Sequence, residues 1–149
     1  MPLESLPYVD EHFVDVAATA ERTWEALVAW IGATGRNRRR PLLARRLGCV
    51  PSEASGEPGE IGSTIPGFIV TRSVPPAVLA LMGEHRFSRY ALIFRITETP
   101  SGPVRLGAET RAEFPGRRGR AYRALVIGSR AHVLATRSIL RAVRKLAED

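Results

Sequence analysis

A long amphipathic segment near the end of the chain, about residues 118 to 147, constrains the fold most strongly. At about 100° per residue its apolar side chains fall in one stripe, with arginines on the opposite side. This pattern predicts one long helix that packs its stripe against another layer of the protein. The stripe consists of Tyr122, Leu125, Val126, Ser129, His132, Val133, Thr136, Ile139, Leu140 and Val143.

Three polar side chains, Ser129, His132 and Thr136, interrupt this apolar stripe. Buried polar groups need hydrogen-bond partners, and we interpret these three as facing a cavity. His132 has two open interpretations: a polar contact inside the cavity, or a core imidazole bonded to a backbone carbonyl or to Ser129. A third role is acid–base catalysis, because imidazole is the side chain best suited to proton transfer near neutral pH.

Alternation of period two predicts the layer that the helix would cover. Charged side chains alternate with apolar ones in residues 104 to 114, which is typical of an antiparallel sheet with one face in solvent. On the apolar face Ala108, Thr110 and Ala112 are small and would leave room beside the helix. Strands are predicted in residues 8–18, 67–74, 77–87, 90–99 and 104–114.

Helices are predicted directly after the first strand. Thr19 can cap a helix that Gly32 closes, and Pro41 can occupy the first turn of a second, broken helix. Residues 47 to 65 are rich in glycine and proline and predict a loop with a short strand. The fold class is therefore α+β: a curved antiparallel sheet wrapped around a long C-terminal helix, with one or two short helices after the first strand. We expect a single domain over residues 1–149.

This layout resembles the START-like superfamily (SRPBCC), which includes polyketide cyclases and lipid-transport domains. The matching stretches are "HFVDVAATAERTWEALVAW", "GFIVTRSVPPAVLAL", "LGAETRAEF" and the closing helix. The resemblance implies a helix-grip fold with a seven-stranded sheet around a hydrophobic cavity. More narrowly, "GEHRFSRYALIFRI" and "FPGRRGRAYRALVIGSRAHV" look like an uncharacterised bacterial subgroup, for which no reaction is implied.

Side chains expected on the inner faces form a candidate binding site. His85 follows Glu84 in a strand, and the tyrosines combine an apolar body with a hydroxyl that can orient a ligand. The histidines lack metal-ligand spacing and Cys49 is the only cysteine, so we expect no metal and no cofactor. The candidate ligand-binding residues are His85, Tyr90, Leu92, Phe94, Ala108, Thr110, Tyr122, Ser129, His132 and Thr136.

The net charge of +7 raises the question of an anionic partner. All but one of the 22 basic residues are arginine, and we favour a solvated basic face over a nucleic-acid site. The run from 36 to 46 is the best candidate for phosphate contact, although a solvated loop is preferred. The chain lacks a signal-peptide pattern and a transmembrane segment, so we expect a cytoplasmic protein, monomeric or homodimeric.

Three functions fit the sequence. The favoured one is binding or transport of a small hydrophobic ligand in an internal cavity, with no assigned reaction. The alternative is a cyclase/aromatase- or dehydratase-like enzyme acting on a small lipophilic substrate, in which His132 or His85 would move protons. The third is an anion-binding protein that uses residues 36 to 46 and the arginine face of the last helix.

Overall fold

A computed structural model describes residues 2–37 and 39–149. A short 3-10 helix, Leu3–Ser5, precedes the first strand. The other elements, in chain order, are β1 Tyr8–Val16, α1 Ala20–Gly35, α2 Arg40–Leu47, β2 Thr64–Ile65, β3 Phe68–Val74, β4 Val78–His85, β5 Ser88–Glu98, β6 Val104–Glu113, α3 Gly116–Arg123, a π-helical segment Ala124–Gly128, and α4 Ala131–Glu148.

The strands form one curved antiparallel sheet in the order β1-β6-β5-β4-β3-β2. α4 packs against α1, β1 and β6, so both helices cover the inner face of the sheet. Alternation puts one set of side chains from each strand under the helices. The largest fully buried side chains there include Leu27, Ile31, Leu79, Leu81, Phe94, Leu106 and Leu140. The predicted α+β helix-grip class is therefore confirmed.

The sheet has six strands in the described part of the chain, not the seven that the resemblance implies. Residues 47 to 65 supply only the two-residue strand β2. Isolated bridges join Val50 to Glu84 and Ser55 to Thr64. Glycines and prolines in this stretch prevent a continuous ladder, because proline lacks an amide donor and glycine favours turns.

The prediction of one continuous helix over residues 118 to 147 is wrong. α3 runs into the π-helical segment, and α4 begins only after a turn at Ser129 and Arg130. Arg130 has φ of 63°, the left-handed conformation that few side chains other than glycine adopt readily. The wider π turn and this break shift the helical phase, so the two halves do not share one stripe. Leu125 is accordingly 69% exposed.

The first helices also differ in detail from the prediction. The Thr19 hydroxyl caps α1 as predicted, accepting a hydrogen bond from the Arg22 amide at 3.1 Å. α1 continues past Gly32, which is buried inside it, and ends at Gly35. α2 ends at Leu47 and is followed by Gly48, whose φ of 73° gives the left-handed cap that glycine favours. Arg38 lies outside the described residues, so the basic run 36 to 46 is described only in part.

The outer face of the sheet is partly covered instead of facing solvent. Leu3 and Leu6 pack on Ala80, Ala91 and Ile93, which point outward from β4 and β5. The sequence did not indicate this contact, because a segment of few residues carries too little periodicity to predict packing. Among the described residues, no helix is long and apolar enough to cross a membrane.

Candidate ligand-binding site

A cavity of about 350 Å³ lies between the inner face of the sheet and the helices. Its walls come from α2, the turn before β3, the ends of β4, β5 and β6, and the C-terminal helices. Leu43 of α2 lines the cavity and is 61% exposed, which places the cavity opening beside α2. The volume is within the range of small-molecule sites in proteins.

Seven of the ten predicted site residues line this cavity. The sheet carries four of them, and the helices carry Tyr122, His132 and Thr136. The prediction that they contact a ligand stays a prediction. The residues of the sheet are His85, Tyr90, Leu92 and Thr110.

The other three predicted site residues lie elsewhere. Phe94 and Ala108 are cross-strand partners buried in the close-packed core, farther along the strands than the cavity. Ser129 is exposed in the turn before α4, and its hydroxyl donates a hydrogen bond to the Leu125 carbonyl. The physical reason is the break at Arg130, which turns Ser129 away from the stripe that contains His132.

Sequence reasoning missed several walls of the cavity. α2 contributes Arg40, Leu43, Ala44 and Leu47, and Cys49 follows it. The apolar spacing of α2 was the only sequence signal for this role. The sequence does not show that α2 lies beside the sheet, because that arrangement depends on the path of the chain between them. Further lining residues include Pro66, Gly67, Phe68, Ser88, Ala112, Phe114, Val126, Ile127, Ala135 and Ile139.

Tyr90 is fixed by a hydrogen bond across the sheet. Its hydroxyl donates to the Gly67 carbonyl at 2.7 Å. Gly83 is the cross-strand partner of Tyr90, and a Cβ at this position would lie 1.9 Å from the Gly67 oxygen. Glycine is therefore required for the ring and this carbonyl to come together. Burial and the neighbouring Cys49 thiol raise the pKa of Tyr90 well above its usual value, so the hydroxyl stays a donor.

His85 lies in an aromatic cluster at the end of β4. Its ring centroid is 4.8 Å from that of Tyr122 and 5.5 Å from that of Tyr90. Burial lowers the pKa of His85, which favours the neutral ring. Its Nδ1 accepts a hydrogen bond from the Phe87 amide at 3.1 Å, so the neutral ring carries its proton on Nε2. His85 is thus a hydrogen-bond donor on an otherwise aromatic wall.

Cys49 is a neutral thiol and not an activated nucleophile. Burial raises the pKa of its thiol, and the Tyr90 hydroxyl beside it only partly offsets that effect. Reactive cysteines need the opposite, an electropositive surrounding that lowers the thiol pKa. The Cys49 side chain therefore contributes a weakly polar surface to the cavity.

Asp10 joins two histidines beside the cavity, a contact that the sequence analysis did not predict. One carboxylate oxygen lies 3.0 Å from Nε2 of His132, and the other lies 3.1 Å from Nε2 of His12. Burial raises the pKa of Asp10, but the hydrogen bonds from His132 and His12 outweigh it and lower the pKa overall. His132 therefore bonds to a carboxylate, and not to Ser129 or a backbone carbonyl.

The Thr110 hydroxyl is buried at the cavity wall without a partner. Thr110 is 7% exposed, and its Oγ1 is the one fully buried side-chain oxygen or nitrogen without a hydrogen bond in the described residues. Leaving such a group unsatisfied costs about 1–3 kcal/mol. Thr110 is also the register partner of Asp10 across β1 and β6, so both side chains leave the same face of the sheet.

Comparisons with known proteins bear on the fold. No family model and no curated protein sequence matches this chain. An uncharacterised protein from Rhizobium leguminosarum has a similar structure, with 14% identity, a TM-score of 0.59 and coverage of 97% of both chains. Norcoclaurine synthase from Thalictrum flavum, in complex with dopamine and hydroxybenzaldehyde, gives 15% identity, a TM-score of 0.57 and coverage of 93% of this chain and 87% of that chain.

DynU16, a protein of the dynemicin biosynthetic locus, is a third similar structure, at 17% identity and a TM-score of 0.53. The match covers 89% of this chain and 45% of that chain, so this chain spans less than half of DynU16. Together these likenesses confirm the helix-grip fold that the sequence analysis expected. At such low identities they establish the fold alone.

Proposed function

We propose that this protein binds or carries a small hydrophobic molecule in the cavity between the sheet and the C-terminal helices. The observation that carries the proposal is the cavity itself, which is walled mainly by apolar and aromatic side chains and contains an unpartnered, buried hydroxyl at Thr110. Protein interiors are normally close-packed, so a space of about 350 Å³ with a polar group in its wall suits a ligand.

The few polar groups of the wall indicate the chemistry of the ligand. The neutral His85 ring can donate one hydrogen bond from Nε2, and Thr110 can donate or accept another. A mostly apolar molecule with one or two oxygen atoms would satisfy both groups. The norcoclaurine synthase structure holds two small aromatic compounds, dopamine and hydroxybenzaldehyde, and supports ligands of this size for the fold.

Titration with the fluorescent apolar probe 8-anilinonaphthalene-1-sulfonate tests the proposal. Ala112 and Ala135 line opposite walls of the cavity, on β6 and α4. A phenylalanine at either position would occupy the space that the probe needs. We expect the variants Ala112→Phe and Ala135→Phe to bind the probe at least about tenfold more weakly than the wild type, a loss of about 1.4 kcal/mol.

The matched control is Ala33→Phe, the same substitution at an exposed position of α1 that does not line the cavity. This variant should bind the probe with the affinity of the wild type. Circular dichroism melting shows that each variant is folded before it is titrated. Unchanged affinity in both cavity variants would mean that the probe binds elsewhere and would overturn the proposal.

An enzyme of the cyclase/aromatase or dehydratase type is the second candidate function. One specific observation favours it: His85 and His132 line the same cavity. Both rings must face one space if they are to transfer protons to a shared ligand, and this arrangement meets that requirement.

A further inference from the structure

We propose that His132 is a general base for the cavity, positioned by Asp10, and that it moves a proton on a small lipophilic ketone. This inference rests on the proposed binding function and adds a reaction to it. Three features support it: the bond between His132 and Asp10, the unpartnered Thr110 hydroxyl beside them, and the position of His132 in the cavity wall.

The Asp10 carboxylate determines which nitrogen of His132 can act as a base. An ionised carboxylate only accepts hydrogen bonds, so the His132 nitrogen facing it, Nε2, carries the proton. In the neutral ring Nδ1 then has a free lone pair, and in the described part of the chain this nitrogen has no protein partner. A carboxylate that orients an imidazole in this way also stabilises the imidazolium formed during proton transfer.

Asp10 is itself held in place from two sides. His12 bonds to its second oxygen, and a register shift in β1 lies between Tyr8 and Asp10. Bulges of this kind often redirect a side chain next to a functional site. Among the described residues, no cluster of His, Cys, Asp and Glu could hold a metal ion, so the cluster is assigned to hydrogen bonding.

Thr110 gives an independent indication that a ligand oxygen belongs at this wall. The bond between His132 and Asp10 could serve only to join α4 to β1. That structural role would not explain why the buried Thr110 hydroxyl opposite Asp10 has no partner. A ligand carbonyl that accepts a hydrogen bond from Thr110 would place its α-carbon near His132. Such donors gain strength when negative charge develops on the oxygen.

The proposed step needs no oxidant, reductant or second substrate. Nδ1 of His132 takes a proton from the carbon next to the carbonyl, and the C–H electron pair forms a carbon–carbon double bond. The carbonyl π pair moves to the oxygen, which accepts the hydrogen bond from Thr110. Return of the proton from the imidazolium to the same carbon restores the ketone, and return to a conjugated carbon isomerises it.

Hydrogen–deuterium exchange tests this step with 2-tetralone, a small apolar ketone with acidic α-hydrogens. The ketone is first titrated against bound 8-anilinonaphthalene-1-sulfonate, and its α-proton NMR signal is then followed in D₂O. We expect displacement of the probe and exchange at least about 100-fold faster than in buffer, the scale of general acid–base catalysis.

Substitutions separate catalysis from binding and folding. His132→Asn removes the base, and Asp10→Asn replaces the carboxylate by a neutral amide whose NH2 group can donate to Nε2 and hold the ring in the other tautomer. Each should lower the exchange rate constant at saturating ketone at least about tenfold, while the ketone concentration that displaces the probe changes less than about threefold. Thr110→Val should also slow exchange, because it removes the hydroxyl that donates to the carbonyl oxygen. The matched control is Asp15→Asn, the same change on β1 at an exposed pair with Arg105, which should exchange at the wild-type rate.

The outcomes distinguish this proposal from the function on which it rests. If 2-tetralone displaces the probe but does not exchange, proton transfer is overturned and ligand binding stands. Exchange that survives in both His132→Asn and Asp10→Asn also overturns the assignment of the base. If 2-tetralone fails to displace the probe, this proposal fails, and the probe titration with the cavity variants decides the binding function separately.

Discussion

Replacing Phe94 by alanine lowers the free energy of unfolding by about 3–5 kcal/mol, the cost of removing a fully buried ring from a core that can collapse only in part. Phe94 is 1% exposed and packs inside the main core under the helices. Its cross-strand neighbours are Leu79 and Ala108, which are themselves fully buried. Urea unfolding followed by circular dichroism measures the loss.

The control for this prediction is Phe13→Ala. Phe13 lies over Gly107 on the outer face of the sheet and is 55% exposed. Its removal should cost no more than about 1 kcal/mol, because most of the ring is already in contact with water. Similar losses in the two variants would contradict the assignment of Phe94 to the core, and would return it to the cavity wall that the sequence predicted.

Glu109→Gln should be the second strongly destabilising change. The Glu109 carboxylate is buried on the outer face and bonds to Arg95 at 2.6 Å and to Arg111. Arg111 also donates to the Leu6 carbonyl, which connects the pair to the segment covering that face. Loss of the charge leaves two guanidinium groups without their anion. Because Arg95 is well exposed, we expect a cost of about 2 kcal/mol at pH 7, below that of a fully buried pair.

The same substitution predicts a pH dependence with a defined sign. Burial raises the pKa of Glu109, but hydrogen bonds from Arg95 and Arg111 outweigh it and lower the pKa below its ordinary value of 4.5. The stability that the carboxylate contributes is therefore present above pH 4.5 and is lost as the pH falls through the folded-state value. The difference between the wild type and Glu109→Gln should shrink between pH 7 and pH 3. A constant difference would contradict the ion-pair account.

The fold could be predicted well because its strands carry strong local signals. In β6 apolar or small side chains alternate with charged ones over most of the strand, and this period indicates both the strand and the face under the helices. The long helix failed as a prediction at one point. Neither the π turn after Arg123 nor the left-handed Arg130 leaves a trace in the hydrophobic period, because that period is the same whether the helix is continuous or broken.

The candidate site was predictable only where it lies on these periodic elements. Tyr90, Leu92 and Thr110 line the cavity because the strand pattern fixes the face on which they lie. Asp10 and His12 also alternate onto the inner face of β1, but the contact of Asp10 with His132 joins residues 122 positions apart. The sequence gives no distance between such residues, so a polar pair on an otherwise apolar face was the only available signal.

Native mass spectrometry of freshly purified wild-type protein and Ala112→Phe tests the central claim, that the cavity holds a small lipophilic molecule, most directly. The account predicts that the wild type carries an added mass above its 16.3 kDa chain, that organic solvent releases this molecule, and that the filled variant lacks it. A wild type that runs at the mass of the bare chain, or an added mass retained equally by Ala112→Phe, would contradict the account.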